Sequence, residues 1–182
     1  MMSQGKAACL AWKGSPLFKT VFDFAIMSML LWELKPGTVF EIGSGTGASA
    51  RWMADTLAGF GLNSQVYSTD IKRIDEDYPG VQFLTGDSRS PASLFAPDLL
   101  RSATRPYLVI EDAHANVQDV LLYIDEFLIK GDYLIVEDSL LKNDDLNALI
   151  RERPNRYLVD THYTDFFGRN ATSAINSILV RV

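Results

Sequence analysis

The chain has 182 residues, 47% of them hydrophobic and 22% charged, with a formal net charge of −6. That length suits a single domain with a substantial core, read here as residues 1–182 with an N-terminal helical segment, 1–35, packed against it. The acidic balance leaves no basic stripe to displace counterions, so no nucleic-acid partner is expected, and a cation or a small neutral substrate suits the chain better. The single cysteine, Cys9, can form neither an internal disulfide nor a zinc cluster, which points to a reducing, cytoplasmic setting. No secretory leader is evident, since the start is soon broken by Lys13, Gly14 and Pro16.

Roughly Pro16 to Leu34 predicts the first helix. Its stretch Phe22–Leu34 is apolar, but Asp23 and Glu33 leave too short a run to span a bilayer, so no membrane partner is expected. The run Phe22–Trp32 could be core or the interface of a homo-oligomer. Thr38–Ile42, β-branched and aromatic after Pro36-Gly37, reads as the first strand. It enters the turn Gly43-Ser-Gly-Thr-Gly47, and Ala48–Leu57, free of Gly and Pro, reads as the helix beyond it.

Further strands follow at Gln65–Thr69, Val81–Thr85, Tyr107–Ile110 and Tyr133–Val136. Between the last two, Asn116–Ile129 places Val117, Val120, Leu121, Ile124 and Leu128 on one helical face. Strands alternating with helices imply parallel pairing and right-handed crossovers. The tail breaks that rhythm. Tyr157–Asp160 and Ile175–Val182 are strand-like with no convincing helix between them, predicting an antiparallel pair at one edge of the sheet.

A strand that runs into a Gly-x-Gly-x-Gly turn and then a helix brings backbone close to a nucleotide-like ligand, because glycine has no Cβ to obstruct the approach. The helix start aims free amides at the same place. Read as Gly43-x-Gly45-x-x-Ala48, the turn also fits a dinucleotide fingerprint. Nearly every predicted parallel strand then ends in an acid: Glu41 before the turn, Asp70, Asp87, Glu111-Asp112 and Glu137-Asp138. In an open parallel sheet the ligand crevice lies at those carboxyl ends. Asp70 could accept both hydroxyls of a ribose, and Asp87-Ser88 would neighbour an adenine ring. These roles suit a nicotinamide cofactor or S-adenosylmethionine, and the antiparallel tail together with Glu41 favours the latter.

Glu111-Asp112-Ala113-His114 and Glu137-Asp138 form a second constellation. Adjacent strands lie about 4.8 Å apart, so their end carboxylates can converge on one ion. Oxygen ligands with open positions suit Mg²⁺, or else Mn²⁺ or Ca²⁺, rather than zinc. His114, one of two histidines, could deprotonate a hydroxyl held there. His162 reads as structural or substrate-lining.

With these residues in view the chain resembles a class I S-adenosylmethionine-dependent methyltransferase. More narrowly, it is similar to the cephalosporin hydroxylase family, which includes metal-dependent O-methyltransferases acting on sugars of macrolides and related natural products. The resemblance runs through Trp12-Lys-Gly-Ser-Pro-Leu-Phe-Lys19, Phe40-Glu-Ile-Gly-Ser-Gly-Thr-Gly-Ala-Ser49, Gly131-Asp-Tyr-Leu-Ile-Val-Glu-Asp138 and Asp165-Phe-Phe-Gly-Arg-Asn-Ala-Thr172. It implies a three-layer, Rossmann-like α/β fold with a mostly parallel seven-stranded sheet and an antiparallel C-terminal strand. It also implies S-adenosylmethionine held by Glu41, Gly43, Ser44, Gly45, Gly47, Ser49, Asp70, Asp87, Ser88 and Glu111, with His114 as catalytic base. Asp112, Glu137 and Asp138 would hold the cation, although spacing from His114 points to Glu111 for the first ligand and residue type to Asp112. The implied partner is a small-molecule acceptor, whose site Tyr163, Phe166 and Phe167 could line.

Two rivals remain. An NAD-dependent oxidoreductase would need a catalytic Tyr-x-x-x-Lys, which is not obvious here. A non-catalytic cofactor-binding subunit would have no need to keep His114 and the acidic pair.

Overall fold

The computed structural model describes residues 10–182, so Cys9 and the start of the N-terminal segment lie outside it. The chain enters through a small hairpin, β1 (Ala11–Trp12) and β2 (Ser15–Pro16), turning through Lys13 and Gly14 at positive φ. This corrects the expected helix start at Pro16. The backbone at Ser15–Pro16 is committed to β pairing, so α1 (Val21–Leu34) begins later. Thr20 is its N-cap, its hydroxyl accepting from the Asp23 amide at 3.1 Å, which satisfies an otherwise unpaired helix donor.

Beyond α1 come β3 (Thr38–Ile42), α2 (Ala48–Gly59), β4 (Gln65–Asp70), β5 (Val81–Thr85), α3 (Pro97–Ser102), β6 (Tyr107–Glu111), α4 (Val117–Asp125) and β7 (Tyr133–Val136). The chain closes with α5 (Asn143–Glu152), β8 (Tyr157–Val159), α6 (Thr161–Thr164) and β9 (Ile178–Arg181). The sheet order is β5-β4-β3-β6-β7-β9-β8. The first five neighbours pair in parallel, and β9 runs antiparallel to both β7 and β8. This is the mostly parallel seven-stranded sheet with an antiparallel C-terminal strand expected from the sequence. Details differ: α4 stops at Asp125, short of Ile129, β9 begins at Ile178 rather than Ile175, and a single helical turn, α6, separates the last two strands.

Alternation along each strand divides the core into two layers. Val39, Val66, Leu108, Ile110 and Ile135 face α1 and α2, where Trp52, Leu30 and Leu31 are buried. Phe40, Ile42, Tyr107, Val109, Leu134 and Val136 face α4 and α5. Phe40 packs against the rings of Tyr67, Phe95 and Tyr107 at 4.9 to 5.5 Å, and each fully buried side chain of this kind contributes about 1.5–3 kcal/mol. The far edge is tied by Asp125, which accepts from Arg153, Arg156 and Tyr157 at 2.7 to 2.9 Å.

Register brings the carboxyl ends of the central strands level: Ile42 pairs with Thr69 and with Glu111, and Glu111 with Val136. The chain reverses direction across the sheet between β3 and β6, the place where a ligand crevice opens in such folds.

Candidate active site

A cavity of ≈ 750 Å³ opens at this switch point. One flank is the glycine turn. Gly43 sits at φ +102, and a Cβ there would lie 2.8 Å from the backbone of Asp112, so only glycine lets the β3 and β6 ends close together. Gly47 packs against the Phe83 ring and also has positive φ. Asp70 joins the turn to β4: one carboxylate oxygen accepts from the Gly45 amide at 2.9 Å, the other from the Lys72 amide at 3.0 Å. Asp87 is gripped by the Arg89 guanidinium at 2.7 Å, a contact that holds its carboxyl below the usual range. Arg89 also lines the cavity with Ser88, and Ile42, Ile71, Leu94 and Phe18 supply apolar walls.

The other flank carries the acids. Asp112, His114 and Asp138 place ligand atoms within 4.8 Å of one another, with His114 Nε2 3.8 Å from an Asp138 oxygen. His114 and Asp138 side chains are 58% and 50% exposed, so both are open to a ligand. Glu137 lines the cavity too, but one oxygen accepts from Lys19 Nζ at 2.5 Å. The same ammonium lies 3.4 Å from Asp112. Burial pushes the Glu137 carboxyl up and the Lys19 ammonium opposes this, while the surrounding carboxylates raise Lys19 against its own burial. The second Glu137 oxygen, Oε1, is buried and has no hydrogen-bond partner among the described residues. An oxygen-rich set with one imidazole and an unpartnered carboxylate oxygen fits a hard divalent cation.

Of the residues expected from sequence, Gly43, Gly45, Asp70, Asp87, Ser88, Asp112, His114, Glu137 and Asp138 line this one cavity. Five others lie behind it. Glu41 is fully buried and accepts from the Ser68 hydroxyl at 2.5 Å; its burial raises its carboxyl, opposed by Lys19 and the Ser49 and Ser68 hydroxyls. Ser44 is buried 2.6 Å from the same Ser68 hydroxyl, so it and Ser49 surround Glu41 rather than the cavity. Gly47 is occupied by Phe83.

Glu111 is the clearest departure. It points away from the cavity into a buried pair with Lys142 at 2.8 Å, because successive strand residues face opposite sides of a sheet. Asp112 is therefore the residue at the cavity. In the tail, Tyr163 is buried with its hydroxyl on Glu33 at 2.5 Å, while Phe166 and Phe167 meet edge to face outside the cavity, with Phe167 tilted against Phe22. His162 lies beside Tyr163 and Glu33, also away from it.

Reading from sequence alone missed Lys19 as a partner of the acids, as well as Arg89 and Ser173. Ser173 reaches the cavity because Asp23 in α1 accepts from its amide at 3.0 Å and from the Thr172 hydroxyl at 2.6 Å. The available signal was the place of Lys19 at the end of the Trp12–Lys19 segment, directly ahead of an apolar helix.

The sheet order, the glycine turn and the acidic cavity together define a class I S-adenosylmethionine-dependent methyltransferase. The profile of the family described as Rhamnosyl O-methyltransferase/CmcI matches residues 5–160. The chain belongs to that family, and its enzymatic class is O-methyltransferase. It is 30% identical to a rhamnosyl O-methyltransferase of Mycobacterium leprae, covering 93% of this chain and 82% of that protein. It is 28% identical to a rhamnosyl O-methyltransferase of Mycobacterium bovis, covering 92% and 76%. Among solved structures, a CmcI structure described as the Mg-SAM form superposes with a TM-score of 0.78 at 27% identity, covering 96% of this chain and 77% of that one. An apo CmcI structure gives 0.73 at 25% identity, with the same coverage. Among the described residues no helix is long and apolar enough to cross a membrane.

Proposed function

We propose that the cavity methylates a hydroxyl of a sugar-bearing small molecule, with a divalent cation, Mg²⁺ by preference, at the acidic flank. The observation that carries this reading is the convergence of Asp112, His114 and Asp138 at one side of a cavity whose other side is the glycine turn and Asp70. The names of the mycobacterial relatives, which specify a rhamnosyl acceptor, and the Mg-SAM description of a CmcI structure support the same reading.

In this scheme the Gly43 and Gly45 backbone and Asp70 hold the methyl donor, with Asp70 accepting from its ribose. Ser88 and Arg89 flank the adenine, with Ile71 and Leu94 against its faces. Asp112, Asp138 and the free oxygen of Glu137 would hold the cation. When bound, the cation supplies Lewis-acid polarisation of the acceptor hydroxyl. His114 takes the hydroxyl proton while the methyl group passes from sulfonium sulfur to oxygen, leaving a neutral thioether. Much of the rate comes from holding the two reactants in line.

The test is calorimetry with S-adenosylmethionine, S-adenosylhomocysteine and NAD, followed by turnover on a panel of deoxysugar glycosides with and without chelator. Binding of the first two ligands and chelator-sensitive methylation are expected. Binding of NAD alone overturns the donor assignment, and full activity in excess chelator overturns the cation.

A further inference from the structure

Lys19 has no part in the chemistry just described, yet it sits in the middle of the acids. Its side chain is only 3% exposed, and its Nζ lies 2.5 Å from Glu137 and 3.4 Å from Asp112. A buried ammonium is costly unless paired, so its placement needs a reason. The hairpin ahead of it is fixed at several points. The Trp12 indole donates to Asp55 at 2.6 Å, the Thr46 hydroxyl of the glycine turn donates to the Pro16 carbonyl at 2.8 Å, and the Leu17 amide donates to the Leu10 carbonyl at 3.0 Å.

Lys19 holds Glu137 by Oε2 only. Oε1 remains buried, with no hydrogen-bond partner among the described residues. Counted formally, Asp112, Glu137 and Asp138 carry three negative charges, and Lys19, which also faces the buried Glu41, offsets only part of that surplus.

We infer that Lys19 is the built-in counter-cation of this site: a positioning residue that orients Glu137, leaves its second oxygen for a divalent ion and offsets part of the surplus charge of the three carboxylates. The inference rests on the cation reading proposed above. Without Lys19, no cationic side chain among the described residues pairs with the buried Glu137, so divalent-ion binding and folding become more strongly linked.

Thermal unfolding and Mg²⁺ calorimetry on the full chain, without donor or acceptor, test this with Lys19→Met, Lys19→Arg and the double variant Lys19→Met/Glu137→Gln. In Lys19→Met, Mg²⁺ is expected to raise the melting temperature more than in the parent and to bind about tenfold tighter or better, the difference made by one neighbouring unit charge at partial screening. Lys19→Arg should respond like the parent, and the double variant should lose the extra gain. A Lys19→Met chain that folds only with Mg²⁺ present is the same result in its extreme form. An Mg²⁺ response in Lys19→Met no larger than the parent's overturns the role of Lys19 and leaves the cation reading standing. So does a Lys19→Met chain that stays unfolded with Mg²⁺ while the parent responds. Absence of any Mg²⁺ response in the parent and all variants overturns the cation reading and this inference together.

Discussion

Glu111 and Asp112 are consecutive in the chain but face opposite sides of the sheet end. Glu111 is buried 2.8 Å from Lys142, and Asp112 turns into the cavity 3.4 Å from Lys19. Two adjacent carboxylates thus acquire two separate ammonium partners, each sealed from solvent. One pair braces β6 against the segment leading into α5, and the other belongs to the proposed catalytic centre.

The buried pair has a pH signature. Burial pushes the Glu111 carboxyl from 4.5 up to about 7, with Lys142 opposing the shift. A carboxyl raised in the folded state binds a proton there that the unfolded chain has already released. Its contribution to stability therefore falls as pH rises from about 4.5 to about 7, by at most about 1.4 kcal/mol per pH unit. Denaturant melts of the parent and Glu111→Gln across that range should diverge with this sign. Parallel curves would mean that Lys142 keeps Glu111 ionised throughout.

Replacing His114 with alanine should lower kcat by about 10²–10⁴-fold while S-adenosylmethionine affinity stays unchanged. The ring is exposed at the cavity and supports no buried contact, so a loss of folding is not expected. Retained turnover in this variant would remove the base from the scheme.

Asp112→Asn and Asp138→Asn should each abolish the Mg²⁺ dependence of turnover and of the melting curve. Glu111→Gln should preserve both, because its carboxylate is spent on Lys142. A Glu111→Gln enzyme that loses its Mg²⁺ response while remaining folded would reverse the assignment between the two neighbours.

Asp70 organises the donor side by accepting from two backbone amides, at 2.9 and 3.0 Å. Asp70→Ala should weaken S-adenosylmethionine binding about ten- to hundredfold, the cost of losing hydrogen bonds to a charged group. Calorimetry showing an unchanged dissociation constant would take Asp70 out of the donor site.

The parallel strands were legible because each is a short β-branched or aromatic run bounded by turn residues, and Thr38–Ile42, Val81–Thr85 and Tyr133–Val136 match residue for residue. The first helix was misplaced at its start because Ser15–Pro16 pairs with Ala11–Trp12, a contact that helical periodicity does not report. At the site, Gly43, Asp70 and the strand-end acids were recognisable by type and position. Glu41 was not separable from them, since its neighbour Ser68 lies on another strand.

By itself, then, the sequence determined the alternating strands and helices, the glycine turn and a run of acids at the strand ends, all of which depend on local pattern. Only the tertiary structure decided which acids meet. Lys19 reaches Glu137 across 118 positions, and Lys142 reaches Glu111 across 31. Such pairings depend on sheet order and on which face each side chain takes, and neither is written in the spacing of neighbouring residues.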